Sequence, residues 1–315
     1  MYARRYYKIS SDDPLNTWVL RDAAANQQWG DVCYSEELDM LVAVSNNGSV
    51  GRIMISEDAG KSWELIPGFT NVAWNSVCWG AGLFVISGNG TAQNNIITSP
   101  NGRVWTTRTS TGINGNATSV IYGHSGFLVG ASGVSSLFTR SIDGISWSAV
   151  VSSVMTDANG VGWGNNTYMA LYSTTGTVAK VASSTDITNW TAKYSGSALI
   201  PRRVAYGNST FLITSTGTTR VLASVNDGDA WTIRTLPVDV LPWGVCFAED
   251  RFIITAQSGT GANNRSLVTF DKGVTWSVIP TPQDNQLRAV CYARKHRTVV
   301  AVSYDGTNQV MTMRI

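Results

Sequence analysis

Apolar residues come in short bursts along this chain, with polar turns between them. The bursts open at Val32-Cys33-Tyr34, Val77-Cys78-Trp79, Val120-Ile121-Tyr122, Val161-Gly162-Trp163, Val204-Ala205-Tyr206, Val245-Cys246-Phe247 and Val290-Cys291-Tyr292. A tight turn such as Gly164-Asn165-Asn166 follows. A second apolar run comes next, at 40–44, 83–86, 127–130, 168–171, 211–214, 252–255 and 298–302. A Gly/Ser/Thr/Asn-rich stretch then leads to a third run, for example 52–56 or 137–141, and a tryptophan-bearing fourth run ends the unit. Short runs rich in Val, Ile, Phe and Thr between Gly/Asn/Asp turns predict antiparallel meanders.

The tryptophans set the period. Trp18, Trp63, Trp105, Trp147, Trp190, Trp231 and Trp276 are spaced by 45, 42, 42, 43, 41 and 45 residues. Four strands recurring at about 40–45 residues predict a propeller. The expected fold is therefore all-β: a seven-bladed β-propeller of four-stranded antiparallel blades, forming one domain over 1–315. A length of 315 residues alone would suggest two domains, but the repeat overrides that prior.

The seventh unit supplies three strands, ending at 309–314, and lacks a fourth of its own. Residues 11–22, containing Asn16-Thr17-Trp18-Val19-Leu20, provide one at the other end. The prediction is closure, with the N-terminal strand pairing into the C-terminal blade and leaving no long open edge. Residues 6–10 also read as a strand and compete with 309–314 for the third slot; the spacing from Ser303 favours 309–314. Residues 1–10 are then a basic, aromatic arm with two readings: a frayed terminus, or a segment that docks on a neighbouring subunit.

A turn recurs before each tryptophan. Its full form is Ser56-Glu57-Asp58-Ala59-Gly60-Lys61-Ser62-Trp63, and Thr269-Phe270-Asp271-Lys272-Gly273-Val274-Thr275-Trp276 repeats it. Asn replaces Asp at Asn226 and Asn101, a shorter form holds Asp143, and the version at Asp186 has lost its glycine. The Asp or Asn oxygen is expected to accept N–H groups of its own turn, and Gly to supply a positive φ. The sequence from Ser11 to Trp18 is a degenerate copy. This pattern resembles the Asp-box (BNR) repeat, Ser-x-Asp-x-Gly-x-x-Trp, of sialidases and many other propellers. The resemblance covers essentially the whole chain and places the turns at the blade periphery. It makes Asp58, Asn101, Asp143, Asp186 and Asp271, with their seven tryptophans, structural.

Composition narrows the function. Hydrophobic residues make up 43% and charged residues 14%, which suits blades buried on both faces. A net charge of +2 gives no case for nucleic acid or an anionic membrane. No apolar run approaches the ~18 residues of a membrane span, and the N-terminus does not read as a secretory signal. Cys33, Cys78, Cys246 and Cys291 share one repeat position with Ile121, Gly162 and Ala205, so four free thiols are expected, not two disulfides. With His124 and His296 the only histidines, both in turns, no metal site or cofactor is expected.

The resemblance raises the sialidase question, and the residues answer against it. The Arg-Ile-Pro motif of that family is missing, and Glu36, Glu37, Glu57, Glu64 and Glu249 fall in turns or on an outer strand. The carboxylates expected on the ligand face are Asp31, Asp157, Asp239 and Asp284, scattered over separate blades, whereas a glycosidase needs two across one sugar. A non-enzymatic protein is expected. Three tryptophans outside the period, Trp29, Trp74 and Trp243, precede first strands, and Arg202, Arg203 and Arg288 enter on the same face. Aromatics and donors around a concave mouth suit sugar stacking or a partner's side chains, the structural alternative being a core plug. Compact Asp-box propellers of this kind resemble tail, fibre or capsid-attached modules of tailed-bacteriophage virions. The resemblance implies assembly in the bacterial host cytoplasm and contact with other virion proteins or host-surface glycan. A free carbohydrate-binding lectin, a divergent sialidase-like glycoside hydrolase and a cytoplasmic or thylakoid assembly factor are the alternatives.

Overall fold

The computed structural model describes residues 13–315 except 49–50, 70–71, 91–93, 114–115, 133–136, 153, 156, 175–177, 198 and 260–262. Seven four-stranded antiparallel sheets follow one another along the chain. We number them as blades 1 to 7 by their innermost strands: Trp29–Ser35, Ala73–Gly80, Ala117–Gly123, Gly160–Gly164, Ile200–Gly207, Val240–Ala248 and Leu287–Ala293. Blade 7 is completed from the other end of the chain. Trp18–Arg21 pairs antiparallel with Val310–Arg314, with Trp18 opposite Met313 and Leu20 opposite Met311. The predicted seven-bladed ring and its closing strand are thus both found, and 310–314 occupies the third slot. The arm at 1–10 and the first two residues of the degenerate copy at 11–18 lie outside the described residues.

Burial explains why the strands read as they do. The second strand of blade 1, Met40–Ser45, and its third, Ile53–Ser56, are buried at every position. A central strand covered on both faces has no solvent side to mark with polar residues, so it reads as a continuous apolar run. The fourth strands, such as Thr106–Arg108, are mostly exposed. The core is consequently not one central mass. Apolar clusters sit between neighbouring blades: Met40, Val42 and Ile55 of blade 1 pack with Trp74, Phe84 and Ile97 of blade 2.

The residue after the cysteine column is aromatic in every blade: Tyr34, Trp79, Tyr122, Trp163, Tyr206, Phe247 and Tyr292. Several of these rings lie directly on a glycine of the preceding blade. A Cβ built on Gly80 would fall 2.0 Å from Tyr122, on Gly164 2.2 Å from Tyr206, and on Gly207 2.0 Å from Phe247. The glycines are there for the ring next door.

The recurring turn is built as its chemistry requires. Ser56 Oγ donates to Asp58 Oδ1 at 2.8 Å and accepts the Gly60 N–H at 2.9 Å. Asp58 Oδ1 accepts the Ser62 N–H at 2.9 Å. Asn226 does the same for Ala230, and Asn101 for Arg103 and Val104, so an amide oxygen suffices. One bond was not foreseen. The indole N–H donates to the carbonyl three residues back in six turns: Trp63 to Gly60, Trp105 to Gly102, Trp147 to Gly144, Trp190 to Ile187, Trp231 to Gly228 and Trp276 to Gly273, at 2.7–3.1 Å. The expectation that these tryptophans lie within fourth strands needs correcting. In blade 1 the strand is Glu64–Ile66, and in the other five blades too the tryptophan stands just before it, closing the turn. Trp18 is the exception on both counts. It lies in its strand, and its indole N–H finds no acceptor among the described residues.

All four cysteines are free. They stand on four consecutive blades, 6, 7, 1 and 2, along one arc of the central channel. Burial pushes the Cys246 thiol up to about 12. Burial also raises Cys33, helped by Cys78, Cys291 and Asp31.

Candidate functional site

The channel mouth on the face where each innermost strand begins holds a cavity of ≈ 280 Å³. One backbone feature builds it. The pairing of first and second strands slips by one residue at Gly30, Asn75, Thr118, Trp243 and Arg288, and by one across the pair Arg202 and Arg203. These are β-bulges, which bend a strand and re-aim its side chains. Counted from the repeated valine of each opening, residues 30, 75, 118, 159, 202, 243 and 288 form one column two positions upstream. Every member lines the cavity, with Asn46, Trp74, Asn89, Asn116, Ser132, Arg203 and Tyr304.

This register corrects the sequence reading of the three extra tryptophans. Trp29 and Trp74 stand three positions before their valine, Trp243 only two. A one-residue shift along a strand turns the side chain to the other side. Trp29 and Trp74 are therefore fully buried between blades, with indole N–H groups spent on Ala25 O and Phe69 O at 3.0 Å each. Trp29 does not line the mouth, and Trp74 offers no open face. Neither can stack a sugar. Trp243 does face the mouth, but its ring is covered. The guanidinium carbons of Arg202 and Arg288 lie 4.6 and 4.5 Å from its centroid, and that of Arg288 lies 3.3 Å from the centroid of Tyr304.

Three arginines thus converge on blades 5 to 7. Arg202 Nε donates to Thr216 Oγ1 at 2.9 Å. Arg203 crosses the axis from blade 5 to blade 1, reaching Gly30 O and Asp31 Oδ1 at 3.5 Å each. Arg203 also lines the second, deeper cavity of ≈ 200 Å³, so it stands between mouth and channel. The Nε of Arg288 is buried without a hydrogen-bond partner among the described residues. Burial, then the charges of Arg288 and Arg203, hold the Arg202 guanidinium below its usual basicity. Burial lowers Arg288 as well, against the opposing pull of Tyr304 and Asp305. Clustered cations with insufficient counter-charge are expensive unless something anionic joins them.

The ligand-face carboxylates do not supply that charge. Asp31 accepts the N–H groups of Val32 and Val77 at 3.1 Å each, alongside its contact to Arg203. Ser76 and Ser119 serve the same linking purpose, accepting the N–H groups of Val120 and Val161 in the next blade. Asp157 accepts the Ala158 N–H at 3.0 Å, and Asp284 pairs with Arg265 at 2.7 Å. Asp157, Asp239 and Asp284 do not line the mouth.

Blades 1 to 4 carry the neutral half, an arc of asparagines that sequence reading missed. Four of their amide nitrogens donate to the protein. Asn75 donates to Asn89 Oδ1 at 2.7 Å and Ala117 O at 2.8 Å, Asn159 to Ser173 Oγ at 3.1 Å, Asn116 to Ser132 Oγ and Asn46 to the Tyr304 hydroxyl at 3.3 Å. The column of seven was present in the sequence, visible by counting back from each valine.

No family model matches this sequence, and no curated protein matches it. Solved structures of the same shape do. The chain is similar to YCF48 bound to D1 peptide (TM-score 0.72, 14% identity, covering 96% of this chain and 98% of that one). It is similar also to a streptogramin B lyase (TM-score 0.77, 10% identity, 96% and 99% covered). A third is virginiamycin B lyase from Staphylococcus aureus (TM-score 0.75, 12% identity, 95% and 99% covered). These likenesses establish the seven-bladed fold and span proteins of different function. Fold alone does not choose among them.

Proposed function

We propose that this chain is a non-enzymatic binding propeller whose axial mouth takes up an anionic group of a partner. The observation that carries this is the convergence of Arg202, Arg203 and Arg288 on one cavity, with Asp31 the one carboxylate in an ion pair with any of them among the described residues and already engaged by two backbone N–H groups. Stacking on Trp243 and Tyr304 fixes the guanidinium planes and leaves N–H edges for a carboxylate or similar oxyanion. Support for the non-enzymatic part is chemical: among the described residues, no Asp, Glu, His or Cys lines the mouth, so the hydroxyls of Tyr304, Ser132 and Thr118 have no carboxylate or imidazole base beside them there. One solved neighbour, YCF48, carries a bound peptide, an instance of this architecture used for holding a partner.

The lectin reading loses its platforms once Trp29 and Trp74 are buried and Trp243 is covered. The narrower setting, a tailed-phage virion component touching virion proteins or host glycan, comes from the Asp-box resemblance alone; the neighbours named above do not support it, and the proposal does not depend on it. The test is a thermal melt with acetate titrated against chloride at constant ionic strength. Acetate is expected to raise the Tm of the unmodified protein by mass action and to leave Arg202→Gln/Arg288→Gln unmoved. Equal response of both proteins, or no response in either, overturns the reading.

A further inference from the structure

Taking the anion-binding reading as its basis, we propose that the mouth receives the carboxyl-terminal end of a polypeptide. Its two halves differ in kind. The arginine arc over blades 5 to 7 is made of donors only. The asparagine arc over blades 1 to 4 adds acceptors. Asn75 spends both of its N–H donors on protein acceptors, and Asn46, Asn116 and Asn159 spend one each, so this half offers amide carbonyl oxygens that the arginine half lacks. The Oδ1 of Asn46 is buried and accepts no hydrogen bond among the described residues. A complementary ligand carries a carboxylate at one end and N–H donors a short way behind it. A C-terminal peptide has that order of groups.

Other anions fit less well. Sulfate and the fully ionised forms of phosphate bring no donors for the asparagine oxygens. An acidic sugar brings hydroxyls, but it is commonly held by an open aromatic face, and Trp243 and Tyr304 are already occupied by guanidinium groups. An acidic side chain within a continuous polypeptide would have to enter a site whose floor is crossed by Arg203 on its way to Asp31. A chain end enters such a recess head first.

Calorimetric titration of the whole protein separates these outcomes. The probes are acetyl-Gly-Ser-Ala-Gly as the free acid, the same peptide as its C-terminal amide, acetyl-Gly-Asp-Ala-Gly amide, acetate, and a glucuronic-acid disaccharide. The free-acid peptide is expected to bind about tenfold or more tighter than its amide, and tighter than acetate by a similar factor, since the loss of one charged hydrogen-bonded contact is worth at least that. In Asn75→Ala/Asn159→Ala the advantage of the peptide over acetate is expected to vanish while acetate binds as before. The comparison of acid with amide needs no variant and so stands whatever the substitutions do to folding. Equal binding of acid and amide overturns the proposal, as does tighter binding of the disaccharide or of the internal aspartate peptide. If acetate binds but the peptide gains nothing, only the polypeptide assignment falls. If acetate fails as well, the anion site itself falls.

Discussion

Ile187 shows how much a single residue can carry. It stands where five other turns have glycine, at φ +68°, a left-handed conformation that a β-branched side chain adopts at a cost of roughly 1–3 kcal/mol. Its side chain is fully buried with Phe138 and Trp190, and its carbonyl accepts the Trp190 indole at 2.7 Å. Truncating a buried Ile costs about 2–5 kcal/mol, which exceeds the strain, so packing decides the residue. An unusual ordering follows. Ile187→Gly relieves the strain as it loses the packing, whereas Ile187→Ala loses the packing and keeps the strain. Both are expected to lower the unfolding free energy in denaturant titration, Ala by about 1 kcal/mol more than Gly. If Gly proves the worse of the two, backbone strain is not stored at this position.

The turns and strands act as elements. Four turns depend on a carboxylate held below the ordinary aspartate value. Asp271 lies at about 2 because the Thr275 hydroxyl and N–H donate to it. The N–H and amide of Asn189 hold Asp186 lower still, and the N–H groups of Ser146 and Ile145 lower Asp143. At Asp58 burial pushes upward and is outweighed by the Ser62 hydroxyl and N–H. A depressed folded-state value stabilises the fold above the unfolded value and ceases to do so as pH falls through the folded one. Stability is therefore expected to fall between roughly pH 4 and pH 2. The chain contains its own remedy, since Asn101 and Asn226 make the same bonds without titrating. Replacing Asp143, Asp186 and Asp271 by Asn is expected to flatten the dependence of Tm on pH in that window. An unchanged slope would place acid sensitivity elsewhere.

Element identity was legible in the sequence because central strands are buried on both faces and read as apolar runs. The site was legible only in part. Arg202, Arg203, Arg288 and Trp243 were found, because charge and an extra indole stand out in a repeat of small polar residues. Trp29 and Trp74 misled, because they stand one position farther from their valine than Trp243 does, and one position turns a strand side chain to the other face. The asparagines escaped notice because Asn is common in turns; what distinguishes Asn75 and Asn159 is their place two positions before the repeated valine, not their type.

At the scale of the molecule, blades hold one another through matched pairs that no single blade contains. Gly207 is under Phe247 of the next blade, and an added Cβ would lie 2.0 Å from that ring. Gly207→Ala is expected to cost about 1–3 kcal/mol by forcing the blades apart. Gly30 is the control, since a Cβ there meets nothing within 4 Å. Similar losses at both sites in chemical denaturation would mean that helical or strand propensity, not blade contact, sets the cost. The repeat period foretold the number of blades and the manner of closure, because both follow from counting. It could not foretell which groups reach across the axis, as Arg203 does, because that depends on side-chain length set against a radius that only the assembled ring defines.

The joint at blade 7 has a bearing on how this disc behaves in company. Its fastener is four residues, Trp18–Arg21, laid against a strand almost the whole chain away. While it is seated, blade 7 ends as the other blades do, in a fourth strand at its rim. Once it lifts, Val310–Arg314 becomes an unclaimed border with its N–H and C=O groups turned outward, able to accept the corresponding tongue of another copy. The same clasp that makes the protein self-contained is thus the place where it could most readily become linked to itself.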